Sequence, residues 1–195
     1  MAKREDIQHA VLVVSAAEQF PAAVKALLPK GSCCTFDVKK SAAAARACIL
    51  DRYYDLIAVS APLPDETGLD FVLDITEQCS ASILFALPRE VSGDISDRLS
   101  ERGILAMPKP LSKTALGQAL KFLLAVQNRM YALKAELRKA EEKAEELRVV
   151  TRTKLFLMET QHMTEDEAHR FIGKQAMDQG LSRKRAAERI LEGEL

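Results

Sequence analysis

Cationic side chains crowd the C-terminal part of this 195-residue chain: Lys154, Arg170, Lys174, Arg183, Lys184, Arg185 and Arg189. Lysine and arginine hold phosphate oxygens, so a cluster of them on one surface is chemistry suited to a nucleic-acid backbone. The same stretch carries Glu165, Asp166, Glu167, Asp178, Glu188, Glu192 and Glu194, which nearly cancel those charges. On electrostatics alone, a solubilising surface is the simpler reading. The formal net charge of the whole chain is zero, so no long-range field draws in nucleic acid or an anionic membrane. Any basic site must be local.

Other chemistry is scarce. Cys33, Cys34, Cys48 and Cys79 lack a C-x-x-C spacing and have no histidine near them, so they read as reduced, mostly buried thiols rather than metal ligands. His162 and His169 read as surface residues with no metal role. No catalytic constellation appears, no cofactor is called for, and the chain reads as a non-enzyme. The polar start, Met1–Glu5, lacks the apolar run of a signal peptide. No segment reaches the ~20 apolar residues that span a bilayer, so a cytoplasmic protein without a membrane partner is expected.

Three helices must position the cations. Thr164-Glu165-Asp166-Glu167 is a capping box that opens one, and Gly180 closes it. Ser182 caps the next, which runs to about Leu191. At 100° per residue, Ala168, Phe171, Ile172, Gln175 and Ala176 share the inward face of the first, with Arg170, Lys174 and Met177 opposite. In the second, Ala187, Ile190 and Leu191 face inward, while Arg185 and Arg189 face out. Arg183 and Lys184 occupy its first turn, where cations oppose the helix dipole, a departure from local preference that hints at function. Leu155, Phe156, Leu157 and Met158 are apolar on every side of a helix and require burial by more than one neighbour, so the tail of a preceding helix completes a three-helix bundle.

That preceding helix spans Ser112 to Met158, with Gly117 its only glycine and no proline, a length of about 70 Å if unbroken. Leu123, Val126, Met130, Leu133, Leu137, Ala140, Ala144 and Leu147 follow a heptad spacing and predict a coiled-coil seam that calls for a partner helix, most simply from a second copy. In a parallel pair, Arg129 would meet Lys134, Glu136 would meet Glu141 and Lys143 would meet Arg148, all like-charged. Antiparallel or shifted pairing, and a solvated helix with intrachain pairs such as Arg138 with Glu142, therefore stay open. Thr151 and Lys154 at the next seam positions end it near Leu147 or Val150.

The first half alternates two periodicities. Ala10–Val14, Thr35–Val38, Leu56–Val59, Ser82–Leu87 and Ile104–Met107 read as strands, separated by helices over Phe20–Leu28, Ser41–Arg52, Gly68–Glu77 and Asp94–Glu101. The alternation implies an α/β fold: a doubly wound, five-stranded parallel sheet covered on both faces, with sites at the carboxyl ends of the strands.

With that layout, Asp55-Leu56-Ile57-Ala58-Val59-Ser60, Pro62-Leu63-Pro64-Asp65, Gly68-Leu69-Asp70 and Met107-Pro108-Lys109-Pro110 resemble the receiver domain of two-component response regulators, over about Ile7 to Val126. The resemblance implies an aspartate phospho-acceptor ending the third strand and Mg²⁺ held by it and by acidic residues after the first strand, since hard Mg²⁺ needs oxygen ligands. Here the acceptor position is Ser60, and the first turn reads Val14-Ser15-Ala16-Ala17. The family hydroxyl on the fourth strand falls near Ala86 and its aromatic on the fifth at Ala106, while Lys109 is retained. Asp65 alone makes a poor metal site. A pseudo-receiver is expected, keeping the fold without phosphoryl transfer and serving docking and dimerisation. Lys109 reads as a lysine whose stem packs near the sheet's end and whose ammonium bonds Ser60 or loop carbonyls, with ligand sensing as the other reading.

Further on, Thr153-Lys154-Leu155-Phe156-Leu157-Met158, Glu165-Asp166-Glu167-Ala168-His169, Phe171-Ile172, Ala176-Met177 and Ala187-Glu188-Arg189-Ile190-Leu191 resemble the ANTAR family of RNA-binding transcription antiterminators, across Val149 to Leu191. Thr153 departs from the family's usual alanine, and Phe156 stands where a small residue is common. The resemblance implies binding of paired hairpins in a leader mRNA, which keeps a terminator from forming. RNA loops offer unstacked bases to side chains while cations hold the flanking phosphates. On that basis Lys154, Arg170, Lys174, Arg183, Lys184, Arg185 and Arg189 are expected to contact the backbone, Gln179 to read a base and Met177 to pack on one. The expected layout is a receiver-like domain over 1–122, a coiled-coil helix over 123–148 and an ANTAR domain over 149–195. Expected partners are leader mRNA hairpins, a second copy through the coiled coil and the receiver, and a regulatory protein or ligand as input. Two other functions remain open: a DNA-binding response regulator using Ala176 to Ile190 as a helix-turn-helix, and a receiver and coiled-coil adaptor.

Overall fold

A computed structural model of the chain describes residues 8–89 and 92–193. The polar start at Met1–Glu5 and the acidic Glu194 lie outside the described residues. The chain forms β1 (His9–Ser15), α1 (Gln19–Leu27), β2 (Cys33–Lys39), α2 (Ala42–Asp51), β3 (Leu56–Ser60), α3 (Leu69–Gln78), β4 (Ser82–Leu87), α4 (Ser92–Glu101), β5 (Ile104–Pro108), α5 (Lys113–Gln161), α6 (Glu165–Asp178) and α7 (Arg183–Glu192). Two compact units result, Met1–Tyr131 and Ala132–Leu195.

In the first unit the strands pair in parallel in the order β2-β1-β3-β4-β5. Strand side chains alternate between faces, so consecutive residues feed two cores. Leu12, Val14, Ile57, Val59, Ile83 and Phe85 pack with Ala42 and Ala45 of α2, Phe71, Val72 and Ile75 of α3 and Leu99 of α4. Val11, Val13, Leu56, Ala58, Leu84 and Ala86 pack on the other side with Phe20 and Val24 of α1 and Leu116, Leu120, Leu123 and Leu124 of α5. This is the doubly wound sheet that the alternation of strands and helices predicts. Leu123 belongs to this core and not to a free seam. Three residues after Leu120 and seven after Leu116, it lies on the face that α5 turns to the sheet.

Local signals fix several ends. The Ser41 hydroxyl accepts the Ala44 N–H and starts α2. The Ser112 hydroxyl accepts the Ala115 N–H and starts α5. Gly68 caps α3 at φ +88°, a backbone conformation that demands glycine, while a Cβ there would touch Phe85 at 3.4 Å. Each strand but β4 runs one or more residues longer than its apolar stretch, because ladder bonds continue through polar ends such as Ser15 and Ser60.

In the second unit, Leu157 of α5 is fully buried among Ala168, Ile172, Ala187 and Ile190, flanked by Val149, Val150, Met158, Met163 and Phe171. The Thr164 capping box is fully formed, and the Ser182 hydroxyl accepts the Arg185 N–H to open α7. Three expectations need correction. Leu155 and Phe156 stay exposed rather than enclosed, since α6 and α7 reach only the face of α5 that carries Thr153 and Leu157. Ala186 joins Ala187 and Ile190 on the buried face of α7, whereas Leu191, expected to face inward, is only half-buried. Among the cysteines, Cys34 is exposed and the others are half-buried, all with free thiols.

Candidate functional site

The α6–α7 region gathers part of the expected cationic set around one cleft of ≈ 660 Å³, lined by Arg170, Lys174, Met177 and Arg183 together with His169 and Asp178. Helical spacing explains the grouping: Arg170, Lys174 and Met177 repeat at four and three residues along α6, opposite buried Ala168, Ile172 and Ala176. Gly180, at φ +64°, turns the chain so that α7 begins beside them. Met177 is 83% exposed, an unusual setting for a large apolar side chain among cations. The Arg170 Nε donates to the Asp166 carbonyl at 3.2 Å, which fixes the stem while leaving the guanidinium otherwise available.

The remaining expected residues are held within the protein. The half-buried Lys154 donates to Glu165 Oε1 at 2.5 Å, and that hydrogen bond holds the Glu165 carboxyl below its ordinary range. Gln179 accepts from Arg189 at 2.6 Å and donates to Gln175 at 3.3 Å, so its amide is engaged on both sides. Arg189, expected to face out, is half-buried for the same reason. Arg185 and Lys184 reach Glu188 at 3.2 and 3.9 Å. Exposed pairs of this kind contribute little and exchange readily for phosphate. Thr153, buried fully, donates to the Val149 and Ala187 carbonyls and thereby ties α5 to α7. The extra methyl and hydroxyl thus have a packing role.

A second site lies at the carboxyl edge of the receiver sheet. Ser15, Ser60, Ala86 and Met107 follow one another in register across β1, β3, β4 and β5. Ser60 opens into a cavity of ≈ 650 Å³ shared with Phe20, Pro62, Lys109, Leu111, Lys113 and Leu116. The Lys109 ammonium donates to the Ala61 carbonyl, and burial pushes its pKa down. Ser15 and Ala17 bond each other locally, with the Ser15 hydroxyl donating to the Ala17 carbonyl at 2.9 Å. Asp65 is committed elsewhere: its carboxylate accepts the Ala43 and Ala42 N–H groups at 2.9 and 3.0 Å and caps α2, bonds that hold its pKa low. Among the described residues no cluster of histidine, cysteine or acidic side chains could hold a metal.

The ANTAR domain family matches residues 138–191. Over 139 residues the chain is 30% identical to the transcriptional regulatory protein PdtaR of Mycobacterium tuberculosis, an alignment covering 71% of this chain and 67% of that one. The chain belongs to the ANTAR family of transcription antitermination regulators. Its first unit is receiver-like. It is similar to the signal receiver domain of an HD domain-containing protein from Pseudomonas fluorescens Pf-5, at 22% identity and a TM-score of 0.57, over 68% of this chain and 97% of that one. It is likewise similar to the chemotaxis response regulator CheY4 of Vibrio cholerae, at 20% identity and a TM-score of 0.51, over 60% of this chain and 98% of that one. At these identities the likeness establishes the fold alone. No helix among the described residues is long and apolar enough to cross a membrane.

One cluster in this ANTAR regulator escaped sequence reasoning. At the amino edge of the sheet, Asp55 is buried with Oδ2 accepting the Ala10 N–H at 2.8 Å and Oδ1 accepting the Tyr131 hydroxyl. His9, only 1% exposed, approaches Asp55 at 3.5 Å and stacks on Tyr131 with ring centroids 6.4 Å apart. That approach is too long for a good hydrogen bond, and His9 Nδ1 has no such partner among the described residues. Hydrogen bonding to Asp55, with burial, pushes Tyr131 up to about 12. One turn earlier, Gln127 donates to the Ser80 carbonyl and the Ser82 hydroxyl at 2.9 and 3.1 Å. The available signal was Gln127 and Tyr131 continuing the Leu116, Leu120, Leu124 spacing of α5. A hydropathy pattern passes over such polar residues.

Proposed function

We propose that this regulator binds paired hairpins in a leader mRNA through the α6–α7 cleft and so prevents a terminator from forming. The observation that carries the reading is Met177 exposed between Arg170, Lys174 and Arg183 on the rim of one cleft. Unstacked loop bases favour an apolar platform, and the cations around it suit the phosphates on either side. Lys184 and Arg185 extend the same edge, their carboxylate partner being exchangeable, whereas Lys154, Gln179 and Arg189 support the cleft from behind. We assign the RNA-binding part to residues 149–195 and the pairing of two copies to the seam within 123–148. Met130, Leu133, Leu137 and Leu147 are exposed there, with Leu147 at 69%, and Arg138 pairs with Glu142 at 3.6 Å within the chain.

The receiver-like part, 1–122 in this scheme, takes no phosphoryl group. Ser60 offers a hydroxyl where a carboxylate would be needed, and Ser15 and Ala16 offer no ligand to Mg²⁺. Incubation with acetyl phosphate and Mg²⁺ should leave the chain unmodified, and a labelled aspartyl product would overturn this part.

A gel shift tests the RNA-binding part. Full-length protein should retard a tandem-hairpin leader RNA and not duplex DNA. Lys174→Ala with Arg183→Ala should weaken binding to all hairpins alike and reduce the salt dependence of log K by roughly 1 per cation removed. Tight binding to a duplex operator in place of RNA would make the chain a DNA-binding regulator, and unchanged transcript readthrough in the double variant would make it an adaptor.

A further inference from the structure

The cavity beside Ser60 has no role in RNA binding, yet its lining is chemically specific. Ser60 is 7% exposed, and its hydroxyl has no hydrogen-bond partner among the described residues. The hydroxyl opens into the cavity, where water or a ligand can serve it, so it is available to a ligand. The Lys109 ammonium carries three protons, and its one side-chain partner among the described residues is the Ala61 carbonyl. Lys113, exposed, lines it too and has no ion pair among the described residues. The first turn of α5 borders this cavity and contains no acidic residue, so its positive end adds to the local field, whereas α1 carries Glu18 at its N-cap. No described acidic side chain lines it. Gln19 and Arg89 also line it, and the rest of the wall is apolar, with Phe20, Leu111, Leu116 and three prolines.

A divalent cation would meet two ammonium groups and no carboxylate here, the reverse of what it needs. A bare inorganic anion would leave the apolar walls unused. We propose that this cavity binds a small organic monocarboxylate with an apolar body, the carboxylate held by Lys109, Lys113 and the Ser60 hydroxyl and the body against Phe20 and Leu116. The inference rests on the reading that this domain takes no phosphoryl group. It gives the unit an input of a different kind: a metabolite in place of a phosphoryl group at the same edge of the sheet.

The test titrates the full-length protein with benzoate, phenylacetate and isovalerate, with benzamide and inorganic phosphate in parallel, by calorimetry and amide chemical shifts. At least one acid should bind saturably at one site, with shifts centred on Ala61, Lys109, Leu111 and Leu116. Lys113→Glu, an exposed change that leaves the core intact, and Ser60→Val should each weaken that binding at least about tenfold, or 1.4 kcal/mol. Absence of saturable binding by all three acids up to about 10 mM overturns the proposal, that limit corresponding to an affinity too weak to sense a metabolite. Equal affinity for benzamide, preference for phosphate, or indifference to Lys113→Glu overturns it as well. A parallel arm with Mg²⁺ and beryllofluoride separates the two readings. A tight complex there refutes both, whereas silence in that arm together with silence towards the acids refutes the carboxylate site alone.

Discussion

Replacing Asp55 by alanine should loosen the receiver-like unit where α5 leaves it. The carboxylate accepts two hydrogen bonds, from the Ala10 N–H and the Tyr131 hydroxyl, and faces buried His9. Hydrogen bonds to a charged acceptor contribute about 1.5–3 kcal/mol each when desolvated. Ala10 is half-buried and would lose its partner outright, so about 2 kcal/mol is assigned to it. The Tyr131 residue is 42% exposed, so water replaces part of what is lost there and its share falls to about 1 kcal/mol. The sum, about 3 kcal/mol, is a factor of roughly 100 in an opening equilibrium. Amide hydrogen exchange reads it directly: Leu12, Val13 and Val14 in β1 and the α5 turn from Gln127 to Tyr131 should exchange roughly 100-fold faster in Asp55→Ala. Asp55→Asn, which keeps one acceptor, should show a smaller effect. The amides of α6 and α7 should be unaffected, since they belong to the other compact unit. Protection in β1 unchanged by Asp55→Ala would refute the reasoning, because the carboxylate would then not be holding β1 and α5 together. A double-mutant cycle with Tyr131→Phe isolates the Tyr131 share, and full additivity would remove that contact from the account.

Other expectations follow from single features. Gly68→Ala forces a side chain into φ +88° with its Cβ 3.4 Å from Phe85, so a loss of about 1–2 kcal/mol in a thermal melt is expected, and an unchanged melting temperature would argue against the strain. Tyr131 has its pKa raised from 10.0 to about 12, so its contribution is fully present below pH 10 and is lost as pH rises through about 12. Allowing for exposure, the loss is about 1 kcal/mol; alkaline denaturation of Tyr131→Phe should lack this component, and identical curves would exclude it. Leu133→Glu with Leu137→Glu places charge on side chains that are 46% and 60% exposed and should abolish self-association in analytical ultracentrifugation. A persisting dimer would place the contact between copies elsewhere.

Much of this arrangement was legible along the chain because it is carried by local signals. Ser41, Ser112, Thr164 and Ser182 cap helices where their spacing places them, and the apolar strand segments sit inside the observed strands. The cations of the cleft were legible as a face of α6, since Arg170, Lys174 and Met177 follow one helical repeat. Which cations are free was not legible. Lys154 and Glu165 are eleven residues apart, and Gln179 and Arg189 ten apart, and these pairings exist because two helices pack. The same limit hid the commitment of Asp65 to α2 and of Leu123 to the receiver core.

The sequence by itself determined the order of elements, the helix caps, the two-faced apolar strands and the serine at the end of β3. Each is a property of a few neighbouring residues and of the period at which they repeat. Only the tertiary structure decided that Lys113 joins Ser60 and Lys109 at one cavity and that His9, Asp55 and Tyr131 meet at the opposite edge of the sheet. Parallel strands and their crossover helices bring together residues separated by half the chain. Side chains so assembled acquire their burial and their partners from packing, and no local pattern carries that information.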